Sequence, residues 1–124
     1  MSYTAALLIP VSNAALARID AGTGPARFRI KNSGGTVLAN LYLTEPAGSV
    51  DGNGKLTLTS AGPETNAPAG GIAALADLLD GDDTVLAANI PVQQGSAPVA
   101  GRVVISSTSI LAGGTVSLSA ASIG

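Results

Sequence analysis

One pattern constrains the fold of this sequence more than any other. The run Thr36-Val37-Leu38-Ala39 returns as Thr84-Val85-Leu86-Ala87. Each copy follows a turn of small polar residues, "NSGG" at Asn32 to Gly35 and "DGDD" at Asp80 to Asp83, and Ile30 before the first matches Leu78 before the second. A third run, Gly113-Gly114-Thr115-Val116, again opens an alternating segment. The economical reading is one device used three times, a hairpin turn leading into a strand.

Period-two alternation surrounds these turns. In "ARFRIK", Phe28 and Ile30 share one face and Arg27 and Arg29 the other, which reads as wet. In "TVLANLYL", Leu41 and Leu43 lie opposite Tyr42. "KLTLTS" points Leu56 and Leu58 inward and Thr57 and Thr59 outward, and "TVSLSAASI" sets Val116 and Leu118 against Ser117 and Ser119. "GRVVISST" is a further strand. "TEPAGSVDGNG" and "AGPETNAPAGG" read as loops, and "PVQQGSAPVA" as an irregular connection. "IAALADLL" is the contested stretch. Ile72, Leu75, Ala76 and Leu79 fall at helical spacing among strong helix formers. Local propensity favours a helix there and the echo favours a strand; the strand is the expectation, and a helix would count against the repeat.

A short helix is expected at "NAALARIDAG", with Asn13 as its cap, Leu16 and Ile19 three apart, and Gly22 as its stop. Residues 1–12 then form an N-terminal arm whose apolar run, Leu7 to Val11, reads as an interface element, and residues 13–124 a single β-domain. The fold expected is all-β, a small sandwich or barrel of about six to eight strands with one short N-terminal helix.

Composition narrows the chemistry. Apolar residues are 46% of the chain but aromatics only 2%, so Ala, Val, Leu and Ile must build the core. Charged residues are 11% with a net charge of −2, which gives no attraction to nucleic acid or an anionic membrane. With no Cys there is no disulfide or thiolate, and with no His there is no His-dependent triad or His-ligated zinc. No segment reaches the roughly 20 apolar residues of a membrane span. The start, "MSYTAALLIPVS", lacks the basic region of a signal peptide.

The candidate sites are few. An EF-hand counted from Asp80 or Asp77 meets Pro91 or Ala88 where a Glu must close the loop. Asp80, Asp82 and Asp83 could hold a weak ion, yet Asp and Gly favour turns for conformational reasons alone. Gly81-Asp82-Asp83 echoes the acidic pair of a polymerase, without the further carboxylates and basic channel that two-metal chemistry needs. Gly22 and Gly24, like Gly48, Gly52 and Gly54, lack the Lys-Ser/Thr ending of a phosphate loop. "SSTS" offers hydroxyls, with Lys31 or Lys55 as formal bases that no spacing supports. Glu45 and Glu64 stand beside prolines in expected loops, with few aromatics to line a sugar cleft. No catalytic residue, metal ligand or cofactor is expected, and the chain is read as a non-enzyme.

The order of segments resembles a family of small tailed-phage virion proteins. "ARIDAGTGPARFRI" is similar to the family's N-terminal helix, turn and first strand. "LANLYLTEPAGSVDGNGKLTL" is similar to its second strand, Pro-containing loop and third strand, and "ISSTSILAGGTVSLSAASI" to its closing hairpin. Together these cover roughly half the chain. It departs at "IAALADLL", where members usually carry an aromatic, often Trp. The resemblance implies a strand in that stretch with "DGDD" as its hairpin turn. It also implies a structural virion protein, a capsid decoration or cement protein on the outer capsid surface. Its partners would be the major capsid protein and further copies of itself as a homo-oligomer. A tail or head–tail connector component, and a receptor- or carbohydrate-binding β-module, are the alternatives.

Overall fold

The computed structural model describes residues 4–97, 99 and 102–123. Its one helix, α1, spans Ala5–Ile19. Ten strands follow: β1 Arg27–Lys31, β2 Val37–Val50, β3 Leu56–Ser60, β4 Gly71–Ile72, β5 Leu75–Leu79, β6 Val85–Gln94, β7 Val103–Ile105, β8 Ser109–Ile110, β9 Leu118–Ala120 and β10 Ser122–Ile123.

Eight strands form one sheet in the order β10-β3-β2-β1-β5-β6-β7-β9, and β4 pairs with β8 in a separate ribbon. The two outer strands of that order are neighbours in sequence. β9 pairs antiparallel with β7 and β10 with β3, while the Ala121 carbonyl between them accepts a 2.9 Å bond from the Leu58 N–H. One short run therefore joins the two ends of the sheet, and the result is a nearly closed, seven-stranded barrel. All pairs are antiparallel except β6 with β7. Phe28 and Ile30, and Leu41 and Leu43, fill the interior as their alternation requires, together with Leu38, Leu56 and Ile105.

The contested stretch is no helix: Ile72 ends β4, and from Leu75 on it is the strand β5. β5 lies between β1 and β6, with Ala76 and Leu78 turned into the core. Sheet pairing on both sides supplies what local propensity does not. The echo also holds in atomic detail. In the first turn the Asn32 N–H donates to Thr36 O and the Gly35 N–H to Asn32 O; the Asn32 side-chain oxygen accepts from the N–H groups of Gly34 and Thr36. Asp80 repeats every one of these bonds with Thr84, Asp83 and Asp82. Gly35 and Asp83 both take positive φ, at 90° and 65°. This is a type I turn with a left-handed fourth residue, begun by a side chain that bonds its own turn.

The third use of the device is elsewhere than expected. Gly113 and Gly114 belong to a different turn, in which the Gly114 N–H meets the Leu111 carbonyl. The true third copy is Asp51-Gly52-Asn53-Gly54-Lys55. There Asp51 accepts from the Asn53 and Lys55 N–H groups and Gly54 takes φ 84°. The shared signal is an Asn or Asp five residues before the first residue of the next strand, not the Thr-Val that follows two of the turns.

Several boundaries differ from expectation. α1 begins at Ala5 behind Thr4, and Asn13 is an exposed residue in its middle, not its cap. The expected arm is thus, from Ala5 on, the first half of the same helix; Met1 to Tyr3 lie outside the described residues. Pro10 sits within the helix although it cannot donate to the Ala6 carbonyl. Ala and Leu favour the helix on both sides of it, and contacts with the barrel hold it. "TEPAGSV" is not loop but the second half of β2, with an irregular register between Leu43 and Gly48 that accommodates Pro46. Pro91 to Gln94 likewise continue β6.

Candidate functional site

α1 lies across one end of the barrel and is fastened there at three points. Ser12 Oγ donates to the Gly54 carbonyl, so the helix rests on the Asp51 turn. Arg18 Nη1 reaches Asp80 Oδ2 at 2.7 Å, tying the last helical turn to the Asp80 turn. Asp20, which ends the helix, accepts a 2.9 Å bond from the Ala47 N–H of β2. Leu8, Ile9, Ala15, Leu16 and Ile19 face the barrel with Ser12.

The "DGDD" carboxylates are each held by a different donor. Asp80 takes Arg18, Asp82 takes the Thr23 N–H and hydroxyl at 3.2 and 2.7 Å, and Asp83 pairs with Arg27 of β1. The Arg18 guanidinium and the Thr84 and Asp82 N–H groups hold the Asp80 carboxyl below its ordinary range. Gly81 fits against the backbone of Gly22 and Gly24, so the acidic turn and the chain after α1 pack main chain to main chain. Among the described residues no three acidic groups gather in a metal-binding cluster. These carboxylates build the end of the barrel on which α1 lies.

A second polar cluster was not foreseen. Asp77 is an acid in an apolar strand and is 2% exposed. Arg29 Nη2 lies 2.8 Å and Lys31 Nζ 3.0 Å from Asp77 Oδ2, while Oδ1 accepts 3.0 Å from the Asn89 N–H. Lys31 also reaches Asn89 Oδ1 at 3.1 Å. Asn89 has φ 55° and stands where the β5–β6 register slips between Ala76 and Leu78. Asp77 thus caps a β-bulge and neutralises two cations on β1. Burial pushes its carboxyl up, but Arg29, the Asn89 N–H and Lys31 outweigh burial and hold it down at about 2. The face of β1 expected to be wet is therefore half-buried and ion-paired. The signal was present in sequence as a lone acid in "LADLL" and cations at alternate positions of "RFRIK", but nothing in sequence pairs those strands.

The remaining candidates are dispersed. Ser106 Oγ accepts from the Ser117 N–H, and Ser107 Oγ donates to the Ser109 carbonyl. Lys31 is occupied with Asp77, and Lys55 follows the Asp51 turn. Glu45 lies in β2, and Glu64 pairs through its backbone with Val116. The geometry does not assemble these into a nucleophile–base pair.

Surface is what the molecule offers instead. The outward side of α1 carries Ala6, Leu7, Pro10, Val11, Ala14 and Ala17, all exposed, with Leu7 at 48% and Val11 at 55%. No charged residue occurs between Ala5 and Ala17. Asn13 and Arg18 are the exposed polar residues of the same helix, Arg18 following Leu7, Val11 and Ala14 along one side in the last turn. Beside it runs an open groove of about 250 Å³, lined by Ala15, Arg18, Ile19, Leu78, Leu86 and Ala87. Among the described residues no helix is long and apolar enough to cross a membrane. Comparison of this chain with family models, curated proteins and solved structures finds no match.

Proposed function

We propose that this chain is a structural protein of a tailed-phage virion, a capsid decoration protein that binds the outer surface of the head and works through interfaces, not catalysis. The observation that carries this reading is the uncovered outer side of α1, where Leu7 and Val11 stand exposed among alanines with no charge before Arg18 in the last turn. An exposed apolar helix face of this kind marks an interaction surface. The resemblance of its segment order to that of small tailed-phage virion proteins suggests the class of partner, the major capsid protein.

Co-sedimentation with expanded empty capsids tests the proposal. The protein is expected to pellet with capsids and to remain in solution without them. Leu7→Asp with Val11→Asp is expected to weaken that binding at least tenfold while leaving the circular dichroism unchanged. Retention of the wild-type chain in the supernatant with capsids present would sink the reading. Binding to isolated tails instead of heads would reassign it as a tail or connector component.

A further inference from the structure

The turn beneath α1 carries a reactive step in its own main chain. Asp51, Asn53 and Asp80 each precede a glycine. A glycine nitrogen has no Cβ beside it, so the side-chain carbonyl carbon one residue earlier can close a five-membered ring on it. Two of the three side chains are held away from that reaction. Asp51 accepts from the Asn53 and Lys55 N–H groups, and Asp80 from Arg18 and the Asp82 and Thr84 N–H groups. Both are carboxylates held in the charged form, which is a poor electrophile. Asn53 differs. Its amide is neutral and exposed, and among the described residues no hydrogen bond holds its side chain. Every other asparagine is followed by Ala, Ser, Leu or Ile. Asn32, Asn40 and Asn89 also have their side-chain oxygens bonded.

We infer that Asn53 is a site of spontaneous modification, where the side-chain amide is lost and the seat of α1 is rebuilt. The Gly54 nitrogen gives up its proton and bonds to Asn53 Cγ. The Cγ–Nδ2 bond breaks, and the amide nitrogen leaves with that proton as ammonia. Water then adds to either carbonyl of the resulting imide. Opening at Cγ leaves an aspartate. Opening at the other carbonyl leaves an isoaspartate, whose main chain runs through Cγ and is one carbon longer.

The folded turn restrains this step. The Gly54 N–H donates to the Asp51 carbonyl at 3.1 Å, and the Gly54 carbonyl accepts from the buried Ser12 hydroxyl. Gly54 is itself buried, and a Cβ there would run into Leu8 and the main chain of Ile9. Its nitrogen is released only when the turn opens, and opening requires α1 to lift. The docking of α1 therefore sets the rate. The product acts back on the docking. A longer main chain has no room beneath Leu8, and either product places a new carboxylate beside Asp51. α1 then sits loosely, and its exposed Leu7 and Val11 move with it. None of this involves a capsid, so it stands or falls apart from the decoration role.

Incubation of the full chain at mildly alkaline pH, followed by peptide mapping and enzymatic methylation of isoaspartate, tests the inference. Conversion is expected at Asn53 ahead of every other asparagine, and more slowly than in a free peptide of residues 49–57. Ser12→Ala should speed it about fivefold, the weight of one hydrogen bond. The protection of the Gly54 N–H from hydrogen exchange, measured on the wild-type chain, should match the slowing relative to the peptide. The isoaspartate form, separated by ion exchange, should show less helical circular dichroism than fresh protein. Asn53→Asp adds the charge without the extra carbon and should lose less of that signal. A folded chain in which Asn53 outlasts the other asparagines would overturn the inference. So would conversion as fast as in the peptide, a folded Ser12→Ala variant that converts no faster than wild type, or an isoaspartate form with its full helical signal.

Discussion

Asp77 is the residue on which most charge depends. Replacing it with Ala leaves Arg29 and Lys31 half-buried without their carboxylate and frees the Asn89 N–H. Breaking a buried pair from one side is expected to cost about 3 kcal/mol, read as a lower denaturant midpoint. The turn residues make a sharper comparison. Gly35 and Gly54 share the left-handed conformation, but a Cβ at Gly35 meets nothing within 4 Å, whereas one at Gly54 would run into Leu8 and its backbone. Gly35→Ala should therefore cost only the left-handed strain, about 1 kcal/mol. Gly54→Ala should cost clearly more and reduce the helical signal, because α1 must lift off the turn. Asp83→Gly relieves the same strain at the second turn and gives up an exposed pair with Arg27. Since such pairs contribute about 0.5 kcal/mol, the variant should be slightly more stable than wild type.

At the scale of elements, α1 has two sides that should respond differently to substitution. Ile19 is 3% exposed in the core, and Ile19→Ala should cost about 3 kcal/mol in urea unfolding. Leu7→Asp, on the outer side, should change the same measurement by less than about 0.5 kcal/mol. The inner strands were legible in sequence because alternation marks a half-buried surface directly, and Phe28, Ile30, Leu41, Leu56 and Leu58 all point inward. β5 was legible through the echo of its turn and the family resemblance, not through its own propensity. The start of α1 was missed because Asn13 read as a cap, and the second half of β2 because the turn residues of "TEPAGSVDGNG" read as a loop. In both places tertiary packing holds a proline that local rules would exclude. The pairing of Ile72 with Ser109 was invisible, since the residues come from distant segments and meet only through the two-residue ribbon.

For the whole molecule, acid sensitivity follows from the three lowered carboxyls. Asp77, Asp80 and Asp51 all titrate lower in the folded chain than in an unfolded one. A lowered acid contributes stability above its unfolded value, about 4, that disappears as pH falls through its folded value. Stability should stay level from neutral pH to about 4 and drop between there and about 2, where Asp77 takes up its proton. Asp77→Asn should make that drop shallower without abolishing it, as Asp51 and Asp80 remain. Barrel closure was expected only as one of two options, because sequence alternation is the same in a sandwich and a barrel. What selects the barrel is the single run Leu118–Ile123, which pairs with β7 first and β3 next. That arrangement also sets an order in time. During synthesis every other strand emerges before this run, and β3 and β7 wait with one edge open until it arrives. The nascent chain therefore stays an unclosed sheet until Leu118–Ile123 has been made, and the arrival of that run ends its exposure to edge-to-edge aggregation.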